Sequence, residues 1–204
     1  MKRKVLTIAL VILGICALGV MSASAQDVFK VNYIANNGVS GAPDATVRVT
    51  NPGTSNGNVC AMIYVFDNDQ QMDECCGCPT TPDGLRTFSL TKDLTSNPLV
   101  GTVVNHGDIK LLGWFVNGSP CDPTLDLLMC LGPTPTCSIP TSTYNLRAWA
   151  THVQNKVGSA YPITESAFSD AQLSAGELSS LAEDCFFIEH LGSGHGICSC
   201  GSGD

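Results

Sequence analysis

The stretch VCAMIYVFDNDQQMDECCGCP, residues 59–79, decides the fold. Its first part, from Val59 to Phe66, is apolar on both faces and rich in residues that favour β-strands. Such a strand is typical of the centre of a sheet that is covered on both sides. The second part, from Asp67 to Pro79, is acidic and contains cysteines, and we predict a loop there.

Further segments on either side carry strand patterns. In the first of them, Phe29, Val31 and Tyr33 alternate with Lys30 and Asn32, which is the period of a strand. Turn-forming residues separate the segments, no helical pattern intervenes, and no repeat of fixed period occurs. We therefore predict a mainly β fold, an antiparallel β-sandwich of immunoglobulin-like or jelly-roll-like type. The strand segments are residues 27–33, 45–50, 59–66, 85–90, 109–116 and 144–153.

The C-terminal part has a helical pattern instead. Ser174 and Glu177 have the spacing of a capping box. Apolar residues then recur at helical spacing between Leu178 and Cys185. We predict one helix from about Ala175 to His190 that packs its apolar face on the sandwich, with Cys185 bridged to a strand or loop. The predicted organisation is a signal peptide over residues 1–25, a sandwich over 26–166, and a helix with a Cys/Gly-rich tail over 167–204.

The N-terminus has the composition of a cleavable export signal. Lys2-Arg3-Lys4 is followed by an apolar run over residues 5–20 and by the small residues Ala23-Ser24-Ala25. We expect the mature chain to begin at Gln26. The alternatives are a membrane anchor, for which the run is short of the roughly 20 residues required, and a lipoprotein attached at Cys16. The basic leader is typical of an exported bacterial protein, and we expect an extracellular or periplasmic location.

Ten cysteines follow this leader. An even number in an exported chain predicts a disulfide framework, because oxidising compartments let thiols pair. Adjacent Cys75 and Cys76 cannot bridge each other without strain, so they need different partners. The predicted disulfide residues are Cys60, Cys75, Cys76, Cys78, Cys121, Cys130, Cys137, Cys185, Cys198 and Cys200.

The glycine-rich tail is expected to be fixed covalently, since it has few apolar residues to hold it. We predict a link between the Cys75–Cys78 segment and Cys198 or Cys200. A competing interpretation pairs the tail with the cysteines of the 121–137 loop. A further alternative is a zinc or copper site that uses these thiolates with His190 and His195, although the spacing fits no standard motif.

The acidic part of the opening stretch is the best cation candidate. Asp67, Asp69, Asp73 and Glu74 supply carboxylate oxygens, which calcium prefers as ligands. The match to an EF-hand loop is poor, because Met72 stands where the sharp-turn glycine belongs. The alternative interpretation is a solvated acidic loop without a metal. No other cofactor is predicted.

Charge narrows the choice of partners. The chain carries 10 Lys and Arg against 18 Asp and Glu, and the leader holds three of the cations. Such an acidic protein repels phosphate backbones, so we expect no nucleic-acid partner. We also expect no transmembrane segment in the mature chain. Self-association or a cell-surface partner fits this composition better.

Catalytic patterns are weak. Ser193 in the segment GSGHG lacks the outer glycine of a nucleophile elbow. His106 and His152 are candidate bases, but no nucleophile or acid is tied to either by sequence. We therefore favour a non-catalytic extracellular protein for surface structure, adhesion or assembly over an enzyme. The alternatives are a calcium- or ligand-binding exported protein, and a secreted hydrolase, which would need a cleft joining a histidine to a serine or carboxylate.

Overall fold

The computed structural model describes residues 29–54, 57–99, 101, 103–115, 121–124, 146–190 and 195–203. The predicted leader lies outside these residues. Within them, the chain forms ten strands, one π-helical turn over Leu90–Leu94 and one α-helix, α1, over Ala175–His190. The strands are β1 Phe29–Ile34, β2 Thr46–Thr50, β3 Val59–Asp67, β4 Met72–Thr80, β5 Leu85–Ser89, β6 Gly107–Phe115, β7 Arg147–Val153, β8 Ile163–Ala167, β9 Ser169–Ala171 and β10 Ser202–Gly203.

The strands form two five-stranded antiparallel sheets. The first has the order β4-β3-β6-β1-β9 and the second the order β10-β5-β2-β7-β8. This confirms a mainly β, sandwich-like fold with one C-terminal helix. The short strands β8, β9 and β10 were not predicted. β9 joins the first sheet beside β1, and β10 joins the second beside β5.

Strand β3 is central, as its sequence predicts. It lies between β4 and β6 in the first sheet. Successive side chains of a strand point to opposite faces of the sheet. Each face of β3 is buried in its own apolar cluster. Toward the second sheet point Val59, Ala61, Ile63 and Val65, and toward α1 point Cys60, Met62, Tyr64 and Phe66.

Helix α1 covers the outer face of the first sheet. The Ser174 hydroxyl accepts a hydrogen bond from the Glu177 N–H at 3.1 Å, which confirms the predicted start of the helix. Leu181 and Ile188 on its inner side are buried against the outward face of β3. The molecule therefore has three layers: second sheet, first sheet and helix. No helix in the described part of the chain is long and apolar enough to cross a bilayer.

The acidic, cysteine-rich segment is a strand rather than the predicted loop. β4 pairs antiparallel with β3 from Thr80 opposite Val59 to Met72 opposite Phe66, so that only a short turn separates the two strands. The register shifts between Val65 and Phe66 of β3, because the extra residue Asp73 of β4 has no residue opposite it. The prediction was wrong because Asp, Glu, Gly and Pro, which occur in this segment, have low strand propensity, whereas burial and pairing with a central strand decide the conformation.

Candidate functional site at the C-terminal tail

Four disulfides form among the described residues. They have Cα–Cα distances of 5.3 to 5.9 Å, within the usual range for a disulfide. Two of them confirm the predicted covalent link between the Cys75–Cys78 segment and the tail. Cys130 and Cys137 lie outside the described residues. The pairs are Cys60–Cys121, Cys75–Cys185, Cys76–Cys198 and Cys78–Cys200.

The alternation of a strand explains this pairing. Cys76 and Cys78 are two residues apart on β4 and therefore share the face toward the second sheet. Cys198 and Cys200 have the same spacing, so an extended tail running beside β4 presents both sulfurs in register. Cys75 points to the other face and reaches Cys185 on α1. We call the two disulfides Cys76–Cys198 and Cys78–Cys200 the C-terminal clamp.

The tail also hydrogen-bonds to the edge of β4. The Cys75 N–H donates to the Gly196 carbonyl at 2.9 Å, and the Cys198 N–H donates to the Cys75 carbonyl at 3.2 Å. Further along, β10 pairs with the edge strand β5 of the second sheet. Unpaired strand edges template pairing with other chains. The tail therefore covers one edge of each sheet and closes that side of the sandwich.

Gly196 is one of the close-packed points of this tail. It has φ +83°, and a Cβ there would lie 2.7 Å from the Ile188 Cγ2 of α1. We expect Gly196→Ala to destabilise the protein by about 1–3 kcal/mol more than Gly41→Ala, because overpacking adds to the backbone strain. Gly41 is a matched control, with φ +77° and no atom within 4 Å of the place that a Cβ would take. Urea denaturation of both variants measures the difference, and equal losses would contradict the close packing.

The predicted calcium ligands lie at two separate places, the β3–β4 turn and strand β4. Asp67 closes the β3–β4 turn: its Oδ1 accepts hydrogen bonds from the N–H groups of Asp69 and Gln71, both at 2.9 Å. The side chain of Asp69 is exposed. Asp73 and Glu74, by contrast, are fully buried on β4, next to Cys75, where the tail pairs with this strand. The structure therefore buries the sequence neighbours Asp73 and Glu74 and leaves Asp69 at the surface. Among the described residues, no three of the four predicted ligands have carboxylate oxygens within 4.8 Å of one another.

The buried pair has unusual electrostatics. Both carboxylate oxygens of Asp73 and Oε2 of Glu74 are buried with no hydrogen-bond partner among the described residues. Glu74 Oε1 accepts a hydrogen bond from the Asn97 N–H at 2.5 Å. Burial raises the pKa of Asp73 to about 6, and the charge of Asp67 adds to the shift. Burial likewise raises the pKa of Glu74 to about 7, against the Asn97 hydrogen bond, with Asp73 adding to the rise.

No thiolate centre forms in the described part of the chain. One group of three metal-ligand side chains has its ligand atoms within 4.8 Å of one another, namely Cys75, Cys185 and Glu189. Its two sulfurs form a disulfide, so they are not thiolate ligands. The tail histidines, His190 and His195, do not join a group of this kind within the described residues.

Of the candidate catalytic residues, only His152 is buried next to a possible nucleophile in the described part of the chain. Ser193 lies outside the described residues, and His106 is exposed before β6. His152 is buried on β7, and its Nε2 lies 2.8 Å from the Ser166 hydroxyl on β8. Sequence reasoning missed Ser166, because the pair depends on the register of two strands and β8 was not predicted.

In comparisons with known proteins, no protein family, curated protein or solved structure matches the chain. The geometry of the residues themselves is therefore the ground for any functional proposal.

Proposed function

We propose that this protein is an exported, disulfide-stabilised, non-catalytic extracellular module that serves in surface structure, adhesion or assembly. The observation that carries the proposal is the C-terminal clamp. It fixes a tail with little apolar burial onto strand edges that would otherwise pair with other chains. Disulfides persist outside the cytoplasm, and the N-terminal residues have the composition of a bacterial export signal. The proposed partners are a cell-surface molecule or further copies of the chain.

This proposal is tested by expressing the full chain, with its own leader, in a bacterial host that exports proteins. We expect the protein in the exported fraction, beginning at Gln26, with its cysteines resistant to alkylation until a reductant is added. The unreduced protein should resist proteases, and a variant in which the four clamp cysteines are replaced by alanine should be cleaved in its tail. Retention in the cytoplasm with free thiols would overturn the proposal.

Cation binding is a second candidate function. It is favoured by the three buried carboxylate oxygens of Asp73 and Glu74 that lack a partner among the described residues. A buried carboxylate without a partner is costly, and a divalent cation would offset that cost. The Asp67 carboxylate is a further candidate ligand, because its charge contributes to the raised pKa of Asp73.

We predict that calcium raises the melting temperature at pH 8, where both carboxyl groups are ionised. At a concentration about 100 times Kd, binding contributes about 2.7 kcal/mol, which corresponds to about 5–10 °C for a domain of this size. The variant D73N/E74Q should lose this gain. The variant D69N, which removes an exposed charge from the same hairpin, should retain it. An equal calcium response in D73N/E74Q and the parent would exclude these two residues as ligands.

A further inference from the structure

A cleft on the opposite side of the sandwich holds a second group of polar side chains. It has a volume of about 370 Å³ and lies where β8 and β9 meet β1. Its lining includes Asn32 and Tyr33 from β1, Ser166 from β8, and Ser169 from β9. Neither the C-terminal clamp nor the buried carboxylates take part in it.

Strand register places His152 beside Ser166. In the β7–β8 pair, Ala150 is opposite Ser166 and His152 is opposite Thr164, so His152 and Ser166 are diagonal neighbours on one face. The distance between His152 Nε2 and Ser166 Oγ is 2.8 Å, a hydrogen bond. This is the geometry of a nucleophile next to a general base.

Asn32 is a second hydrogen-bond partner of Ser166. Its Oδ1 accepts from the Tyr33 N–H at 2.9 Å, which turns its Nδ2 toward Ser166. Nδ2 lies 3.3 Å from Ser166 Oγ, and Ser166 Oγ lies 3.4 Å from Asn32 Oδ1, so Ser166 can accept from or donate to the amide. The contact between Ser166 Oγ and His152 Nε2 is the shortest of the three, at 2.8 Å.

The surroundings of His152 favour its neutral form. The side chain is 1% exposed, and the Tyr33 ring stacks on it with a centroid distance of 3.9 Å. Burial lowers the pKa of His152, and the main chain of Tyr33 partly opposes this shift. A neutral imidazole whose Nε2 accepts a hydrogen bond is the form that can take a proton from a serine.

We propose that Ser166 is a nucleophile that accepts a small acyl group from a reactive ester, with His152 as its general base. Ser166 Oγ attacks the ester carbonyl carbon and forms a new C–O bond, while its proton passes to His152 Nε2. The bond between the carbonyl carbon and the leaving oxygen then breaks, and that oxygen takes the proton from His152. The products are an ester on Ser166 and a free alcohol. This chemistry would give the module a site for covalent attachment.

p-Nitrophenyl acetate is a suitable probe, because release of p-nitrophenol reports the acylation and mass spectrometry locates the acetyl group. We expect the parent protein to gain one acetyl group on Ser166. Ser166→Ala removes the nucleophile and should acylate at least about 100-fold more slowly, because the remaining hydroxyl groups lack the roughly 100-fold or greater assistance of a positioned base. Ser169→Ala is the matched control, since Ser169 lines the same cleft and is exposed, and it should react like the parent.

His152→Gln tests the base. If the variant keeps the circular dichroism spectrum of the parent, we expect acylation to slow at least about tenfold. Acetylation spread equally over Ser166 and Ser169, or unchanged rates in Ser166→Ala, would overturn the site whether or not His152→Gln folds. Release of p-nitrophenol that stops after one equivalent per protein chain agrees with a non-catalytic module. Continued release that depends on Ser166 would keep the site and overturn the non-catalytic function instead.

Discussion

Removal of the whole C-terminal clamp, in the variant C76A/C78A/C198A/C200A, is expected to lower the free energy of unfolding by about 5 kcal/mol. The sequence separation within each pair is 122 residues, but Cys75–Cys185 already holds α1 against β4. The first clamp disulfide therefore closes an effective loop of roughly 15 residues and contributes about 3 kcal/mol. The second closes a much smaller ring and adds about 2 kcal/mol.

The two clamp disulfides should accordingly be non-additive. Either pair variant, C76A/C198A or C78A/C200A, should lose only about 2 kcal/mol, because the remaining disulfide still holds the tail. Urea denaturation under non-reducing conditions measures all three variants. The full removal should also lower the melting temperature by about 10–20 °C. A quadruple variant within about 1 kcal/mol of the parent, well below the usual effect of a disulfide, would show that the clamp does not stabilise the fold.

The second large effect is on the pH dependence of stability. Asp73 and Glu74 have pKa values of about 6 and about 7 in the folded protein, above their ordinary values near 4. Between the unfolded and the folded pKa, the folded protein binds more protons than the unfolded chain, so stability falls as pH rises. We expect a loss on the order of 3–5 kcal/mol between pH 4 and pH 8 in the absence of divalent cations.

The variant D73N/E74Q should lose most of this pH dependence, because its side chains do not titrate. It should be more stable than the parent at pH 8. The variant D69N carries the same kind of substitution at an exposed position and should keep the parent's slope. Some slope remains in every variant, since burial also raises the pKa of Asp108, Asp184 and Glu189. A parent protein that gains stability between pH 4 and pH 8 would contradict the burial of these carboxyl groups.

The features that sequence could predict are those with a strong local pattern. The apolar faces of β3 and the capped, amphipathic helix Ala175–His190 are visible in their residues and occur as expected. The matching spacing of Cys76 with Cys78 and of Cys198 with Cys200 is also visible in the sequence, and it agrees with the clamp. A spacing of two residues is meaningful only between extended segments, and both segments are extended.

The features that sequence missed depend on tertiary context. β4 is a strand because it pairs with β3 and is tied to α1 and the tail, not because of its composition. β8, with the sequence ITESA, is mostly exposed and shows no alternation of apolar residues. The contact between Ser166 and His152 follows from the β7–β8 register, which no local pattern specifies.

Tryptic mapping of the unreduced protein tests the clamp most directly, because the cleavage sites separate the cysteines into three peptides. Residues 49–86 contain Cys60 and the β4 cysteines, residues 111–147 contain Cys121 and two others, and residues 157–204 contain Cys185 and the tail cysteines. We predict that peptide 157–204 is joined to peptide 49–86 and not directly to peptide 111–147, with tandem fragmentation locating Cys76–Cys198 and Cys78–Cys200. A disulfide between the tail and the 121–137 loop, or free thiols at Cys198 and Cys200, would contradict the C-terminal clamp.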